Sequence, residues 1–315
     1  MEKSKESIPV IDKVKAWLNE QGYPLEFRTA AEFHLAGIEA HQGLYVRESP
    51  SLVREIDVLA RLRFIGGIFF EISIVVECKW SRDKPWVVFT TPLTRMAPSA
   101  CIAQTMGSSL GSAVMHCLAS RKDLCSFETF SSATRNGFGG RRAFTKDTDQ
   151  DHFYSAVHSL ISKARAYSLE FDHNRKKDKL PTTGCIVFPM IVVEGELYEA
   201  FFDTTINDVQ LSPVEWIRLH WRGAEQTGQW ISTLDIVKSQ SLAPLLSRRK
   251  AEWEKLCTYA QATISNLVKC FNEESLSALN LEPAARGYLG LPPLLRELRE
   301  LQKARETAPR KRLKR

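Results

Sequence analysis

The chain has 315 residues, 43% of them hydrophobic and 25% charged, which is the composition of an ordinary globular protein that can bury a core. No apolar run approaches the roughly 20 residues of a membrane-spanning helix, and no apolar segment follows the charged N-terminus as in a secretory signal, so we expect a cytoplasmic protein without a membrane partner. Five of the charges behind the net +6 lie in the tail Arg310 to Arg315, so basicity alone does not indicate a nucleic-acid surface; the tail either steers the protein towards phosphate or is a solubilising end.

Two helices are predicted before the first strand. Apolar residues recur at helical spacing over 8–20, and this pattern stops at Gly22. Pro24 suits the first turn of a second helix over 24–36. A short strand is predicted at 44–47.

Two apolar strands, 54–64 and 69–80, are predicted to form a hairpin about Gly66-Gly67. The first arm carries Asp57, and the second ends in Glu77-Cys78-Lys79, the only [DE]-x-K triplet in the chain. Because side chains alternate between the faces of a strand, the two carboxylates share a face only if the loop between the arms has an odd length. We therefore predict an odd-length loop or a bulge at the paired glycines.

The elements after the hairpin are predicted from shorter patterns. The glycine-rich run 136–142 lacks the G-x-x-x-x-G-K-[ST] spacing of a phosphate-binding loop and predicts a flexible turn. The remaining predictions are a strand at 84–89, helical segments at 98–119 and 151–171, a second hairpin from 185–193 and 197–203, and helices at 247–272 and 292–306.

The charges of the first hairpin suit phosphodiester hydrolysis. Asp57, Glu77 and the backbone carbonyl of Cys78 offer hard oxygen ligands for Mg²⁺, which Mn²⁺ can replace. A bound Mg²⁺ would activate water, and Lys79 would orient that water or stabilise the extra negative charge. The alternative is a cross-strand salt bridge at the end of a sheet.

These residues carry a family resemblance. Arg-Glu-Ile-Asp-Val-Leu-Ala at 54–60 and Val-Val-Glu-Cys-Lys-Trp-Ser at 75–81 resemble the PD-(D/E)XK nuclease superfamily, in particular its Mrr-like restriction endonuclease branch. The resemblance covers about residues 10–205, and the hairpin is its most specific part. Ile56 stands where the family pattern has a proline.

The resemblance implies roles for four residues. Asp57 falls on the metal-binding aspartate, Glu77 on the second carboxylate and Lys79 on the catalytic lysine. Glu26 falls on an acid of the first helix that some members add to the metal site, or else it lies on a solvated helix face.

The implied fold is mixed α/β: a restriction-endonuclease-like core, in which helices flank a central mixed sheet, followed by a mostly helical C-terminal region. The expected divisions are a core over 1–205 with an insertion around 90–150, the helical region over 206–308, and the basic tail 309–315.

The expected function is that of a Mg²⁺-dependent endodeoxyribonuclease of a bacterial restriction or defence type, acting on double-stranded DNA. Cutting both strands favours a homodimer, and a partner protein of a defence system is a further expectation. Three alternatives stay open: a nuclease-fold module that binds nucleic acid without cutting it, an effector subunit that a partner activates, and an interaction protein whose hairpin charges are only structural.

The cysteine spacing and the segment around His220 are two other features of the sequence that bear on function. The seven cysteines show no C-x-x-C spacing, which argues against a disulfide framework and a structural zinc site. His220 lies between Trp216 and Trp221, whose rings either stack on bases or belong to the core.

Overall fold

The computed structural model describes residues 8–65, 68–81, 84–91, 97–131, 135–146, 151–175, 181–222, 231–277, 279 and 290–307. Within these ranges there are seven α-helices and one eleven-stranded sheet. The helices are α1 (Val10–Gln21), α2 (Tyr23–Leu35), α3 (Pro98–Ala103), α4 (Ser109–Leu118), α5 (His152–Arg175), α6 (Leu242–Glu273) and α7 (Pro293–Thr307). The strands are β1 (Glu39–Ser49), β2 (Leu52–Ile65), β3 (Phe69–Trp80), β4 (Trp86–Thr91), β5 (Met106–Gly107), β6 (Asn136–Arg142), β7 (Thr183–Glu194), β8 (Leu197–Asp203), β9 (Asp208–Pro213), β10 (Trp216–Arg222) and β11 (Ile231–Lys238).

The sheet is mixed, and its strand order is β1-β2-β3-β7-β11-β10-β6-β4-β8-β9, with β5 paired to β7. Strand β2 pairs antiparallel with β1 on one side and with β3 on the other. After α5, strand β7 lies parallel to β3, and β11 lies parallel to β7. The fold is therefore mixed α/β, with the first three strands forming a meander at one side of the sheet.

Helices cover both faces of the central strands. One face of β2, β3 and β7 packs against α2, α4, α6 and α7 in the larger apolar core. The other face packs against α5 in the smaller core. Strand β3 is buried on both faces over most of its length, so its side chains alternate between two dry cores. No helix in the described ranges is long and apolar enough to cross a membrane.

The register of the β2–β3 hairpin confirms the predicted odd-length loop. Val58 lies opposite Val76, and Ile65 lies opposite Phe69. Three residues, 66–68, therefore separate the arms, and an odd loop keeps odd-numbered residues of both arms on one face. Gly66 and Gly67 themselves lie outside the described residues.

The prediction of a mostly helical region over 206–308 is wrong for its first part. Strands β9, β10 and β11 occupy this part, and β11 joins the sheet beside β7. The sheet thus continues across residue 205, and the helical parts of the described chain that follow are the short 3₁₀-helix Ser239–Ser241, α6 and α7. The error has a physical source: Arg218 and Asp235 sit at buried positions of β10 and β11 and pair with each other, which hides the apolar pattern of two interior strands. The tail 309–315 lies outside the described residues.

Two further predictions are wrong. Strands β7 and β8 exist but do not form a hairpin, because β7 pairs with β3 and β11 whereas β8 pairs with β4 and β9.

The predicted turn at 136–142 is the strand β6. Its glycines allow close packing: a Cβ on Gly140 would lie 2.5 Å from the ring of Phe153 on α5. Strand β6 pairs with β4 in the main sheet, so most of the predicted insertion around 90–150 belongs to this sheet or packs on it.

Candidate functional site

The hairpin register brings Asp57 and Glu77 together at the carboxyl end of β3. The backbone N–H of Cys78 donates a hydrogen bond to Asp57 Oδ2 at 2.8 Å. Glu77 is only 4% exposed, and the Asp57 side chain is 16% exposed. Two carboxylates thus lie side by side in a nearly dry environment, which is unfavourable unless positive charge compensates them.

Lys79 lies on the same face as Glu77, as predicted from the alternation of β3. Its Nζ is 2.6 Å from Glu77 Oε1, and its side chain remains 35% exposed. The lysine therefore contacts the buried carboxylate while keeping access to solvent. This position suits a group that meets both the carboxylates and an incoming substrate.

Cys78 points to the opposite face, also as predicted. Its Sγ lies 3.6 Å from Thr29 Oγ1 on α2. Burial raises the pKa of its thiol well above the ordinary value, so the thiol stays protonated and does not act as a nucleophile. Any role in binding a metal falls to its backbone carbonyl.

A second lysine, which sequence reasoning missed, contacts both carboxylates. Lys163 Nζ lies 3.1 Å from Asp57 Oδ1 and donates a short hydrogen bond to Glu77 Oε2. The residue is 5% exposed. Burial disfavours its charge, but the charges of Glu77 and Asp57 outweigh that effect and raise the pKa of Lys163. The ammonium is thus the internal counter-ion of the pair.

The sequence did carry a signal for Lys163. It follows Leu160 by three residues and precedes Tyr167 by four, so it lies on the buried stripe of α5. A lysine on such a stripe requires a buried partner. Nothing in the local sequence indicates which carboxylates supply it.

Glu26 lies on α2, the helix on the other side of the sheet, where the charges of Asp57 and Lys163 act on it. Burial, followed by the negative charges of Asp57 and Glu55, raises the pKa of Glu26 to about 7. Burial and the charge of Glu77 likewise raise the pKa of Asp57, although Lys163 opposes them. Burial is the larger cause of both shifts and neighbouring carboxylates the smaller one, so a cation placed beside these groups would favour their charged forms.

The ligand groups of the cluster are of the type that Mg²⁺ prefers, but they are few. Mg²⁺ prefers oxygen ligands and is commonly held by only one or two carboxylates together with waters, which Asp57 and Glu77 can supply with the Cys78 carbonyl. Among the described residues, however, no group of three or more His, Cys, Asp or Glu side chains is placed to hold a metal ion. A site here would therefore rely on two carboxylates, and Lys163 would have to give up part of its contact with them.

The raised pKa of Glu26 makes a prediction about stability. In the unfolded chain Glu26 loses its proton near its ordinary pKa of 4.5, whereas in the folded protein it keeps it to about pH 7. Stability therefore falls as pH rises between these values, and the loss is complete above pH 7. We expect Glu26→Gln to raise the free energy of unfolding at pH 8 by about 1 kcal/mol, a value reduced for the half-exposed side chain, and by much less at pH 5.

Thermal unfolding with a chelator present checks this expectation. The matched control is Glu32→Gln, which changes a partly exposed carboxylate of the same helix. An equal gain at both pH values would contradict the assignment of Glu26 to the cluster.

Comparison of the chain with protein-family models, with curated proteins and with solved structures gives no match.

Proposed function

We propose that the chain is a Mg²⁺-dependent endonuclease that hydrolyses phosphodiester bonds of DNA, with Mn²⁺ able to replace Mg²⁺. The observation that carries this proposal is the cluster of Asp57, Glu77 and Lys79 on one face of two adjacent strands. Two buried carboxylates with a half-exposed lysine beside them are the groups that metal-assisted hydrolysis of a phosphodiester requires.

Each residue has a distinct role in the proposed reaction. Asp57, Glu77 and the Cys78 carbonyl would hold the divalent cation, which when bound supplies Lewis-acid stabilisation of the phosphate and a more acidic water. Lys79 orients the attacking water and stabilises the negative charge that develops on the phosphate. Glu26, whose pKa is about 7, can accept a proton near neutral pH.

The order of the elements supports the resemblance to PD-(D/E)XK nucleases. The meander β1-β2-β3, the crossover helix α5 and the parallel strand β7 form a central mixed sheet with helices on both faces. The first helix to pack on this meander, α2, carries Glu26. A central mixed sheet with flanking helices is what the resemblance implies for residues 10–205, and its presence supports the proposal of a restriction-endonuclease-like core.

The biological setting rests on the same resemblance. We propose double-stranded DNA as the substrate and a bacterial restriction or defence role, with a homodimer to cut both strands. A defence-system partner that activates the site belongs to the same proposal, as does a cytoplasmic location.

A second function has an observation in its favour. Lys163 already neutralises part of the charge of Asp57 and Glu77. A cluster compensated in this way can be stable without metal, as in a nuclease-fold module that binds nucleic acid without cutting it. The two functions differ in whether Mg²⁺ is required: cleavage of DNA needs the ion, whereas binding by the module does not.

One experiment separates them. Supercoiled plasmid, single-stranded DNA and RNA are incubated with the purified full chain in Mg²⁺, in Mn²⁺ or in chelator, and both cleavage and binding are measured. The proposed function predicts cleavage of DNA that requires the metal. Binding that is unaffected by chelator, without cleavage in any metal, would favour the binding module, and neither binding nor cleavage would contradict both.

A further inference from the structure

Helix α1 has an apolar face that the described part of the chain leaves uncovered. None of its residues is buried, and all except the half-buried Leu18 are exposed. Trp17 contacts the ring of Tyr23 at the start of α2, with 5.8 Å between ring centroids, yet remains 51% exposed. Large apolar side chains of α1 that are between 47% and 75% exposed are Val10, Ile11, Val14 and Trp17.

A helix as short as α1 is not expected to be stable without packing. It has 12 residues, and isolated helices shorter than roughly 12–15 residues are marginal in water even when they consist of the best helix formers. Three of its residues, Val10, Ile11 and Val14, are β-branched and therefore poorer helix formers. Helices in folded proteins gain most of their stability by burying an apolar face. Helix α1 therefore requires a surface that covers this face.

The apolar residues of α1 follow the spacing of a helix–helix seam. Val10, Val14 and Trp17 are separated by four and then three residues, which is the spacing of the core positions of a coiled coil. Ile11 and Leu18 each follow a core position by one residue and widen the seam along one border. The occupant that fits this seam is another amphipathic helix.

Two opposite charges lie along the other border of the seam. Lys13 directly precedes the core position Val14, and Glu20 lies seven residues, or two turns, further along. Neither side chain has an ion pair in the described part of the chain. Within one helix their order is unfavourable, because a lysine near the N-terminus and a glutamate in the last turn oppose the helix dipole. A partner helix that runs in the opposite direction removes this conflict.

A second copy of α1 supplies such a helix. An antiparallel pair with its two-fold axis between residues 15 and 16 places Val14 opposite the partner's Trp17, and Ile11 opposite the partner's Leu18. The same arrangement brings Lys13 next to the partner's Glu20, and the symmetry forms every contact twice. In a parallel pair the border with Lys13 would instead meet the apolar border of the partner. The charges therefore select an antiparallel copy of the same helix.

We propose that α1 pairs antiparallel with α1 of a second copy and holds the chain as a homodimer. This names the interface of the homodimer that the proposed function expects, although the pairing itself stands on α1 alone. The interface adjoins the candidate site, because a Cβ on Gly22, the residue after α1, would lie 3.7 Å from the Cβ of Trp80, the neighbour of Lys79. With a rise of about 1.5 Å per residue, the two Gly22 residues lie roughly 20 Å apart along the pair.

Sedimentation velocity of the purified full chain in chelator, at concentrations from about 1 to 300 μM, tests the proposal. We expect the wild type to shift from monomer to dimer within this range, as befits a small interface. Trp17→Ser should weaken dimerisation by at least about 30-fold, because it removes the central aromatic side chain of the seam.

Charge reversal tests the orientation of the pair. Lys13→Glu and Glu20→Lys each place like charges together and should weaken dimerisation by roughly 5- to 30-fold. An equimolar mixture of these two variants should associate about as well as the wild type, because each chain offers the charge that the other lacks. The matched control is Lys15→Glu, which makes the same change of charge at an exposed position outside the seam and should change nothing.

A wild type that stays monomeric over the whole range overturns the proposal, as does a dimer that Trp17→Ser leaves unchanged. A mixture of Lys13→Glu and Glu20→Lys that associates no better than either variant alone also overturns it. Thermal unfolding shows whether each variant is folded, and if Trp17→Ser is not, the mixture decides. Sedimentation in chelator does not depend on cleavage, so a dimer without nuclease activity contradicts the proposed function alone, and a monomer that cleaves DNA contradicts this inference alone.

Discussion

Replacing Glu77 with Gln is expected to reduce Mg²⁺-dependent DNA cleavage by at least about 10²- to 10³-fold. The substitution keeps the shape of the side chain but removes the buried charge that Lys79 and Lys163 share and that the proposed cation requires. Lys79→Met is expected to lower the cleavage rate by about 10²- to 10⁴-fold through loss of the group proposed to act on the water and the phosphate, while Mg²⁺ binding persists. Initial rates on supercoiled plasmid measure both effects.

The matched control for these variants is Glu194→Gln. Glu194 lies at the carboxyl end of the neighbouring strand β7 and pairs with Arg28 rather than with the cluster, so its loss should leave the rate unchanged. Thermal unfolding establishes that each variant is folded. Cleavage at the wild-type rate in folded Glu77→Gln would exclude the cluster as the active site.

Removing Lys163 is expected to produce the largest effect on stability. Lys163→Met leaves Asp57 and Glu77 buried without their ammonium, and breaking a buried ion pair in this way costs about 3–5 kcal/mol. If the carboxylates bind a divalent cation, Mg²⁺ should restore much of this loss, because the ion replaces the missing charge. Chemical denaturation in chelator and in millimolar Mg²⁺ measures the free energy of unfolding in each state.

Lys238→Met is the control for that comparison. Lys238 is also buried, at 6% exposure, and its Nζ lies 3.2 Å from Glu196 and 3.7 Å from Glu215. Those two carboxylates are more than half exposed, so water can solvate them when the lysine is removed. We expect a smaller loss and no response to Mg²⁺. A Lys163→Met protein that Mg²⁺ does not stabilise more than it stabilises this control would mean that Asp57 and Glu77 do not bind the ion even when the lysine is gone.

The part of the site that lies on the hairpin could be predicted from the sequence, because the rules involved are local. The alternation of side chains fixes which residues of β3 share a face, and the sharing of one face by Asp57 and Glu77 requires an odd loop. The observed register, with Val58 opposite Val76, follows from those rules. The metal and the reaction are not local properties of a strand, and they stay proposals.

Lys163 could not be assigned to the site, because its partners are distant in the chain. It lies 106 residues from Asp57 and 86 from Glu77. The helical pattern of α5 shows only that a lysine lies on a buried stripe. The packing of α5 across β3 and β7 decides which charges meet it, and this packing is a tertiary property.

The C-terminal strands were missed for a related reason. Arg218 is almost fully buried, and its guanidinium makes two hydrogen bonds of 3.0 Å to the carboxylate of Asp235 on the next strand. Each residue alone argues against an interior strand, since an unpaired charge there is strongly unfavourable. The pair becomes acceptable only once β10 and β11 are side by side.

A calorimetric titration of the full chain with Mg²⁺, with Mn²⁺ as a second probe, shows whether Asp57 and Glu77 hold a divalent cation. The proposed function predicts one site per chain in the wild type that disappears in Asp57→Asn and persists in Lys79→Met. A wild-type protein that binds neither ion, or an Asp57→Asn variant that binds as tightly as the wild type, would contradict it.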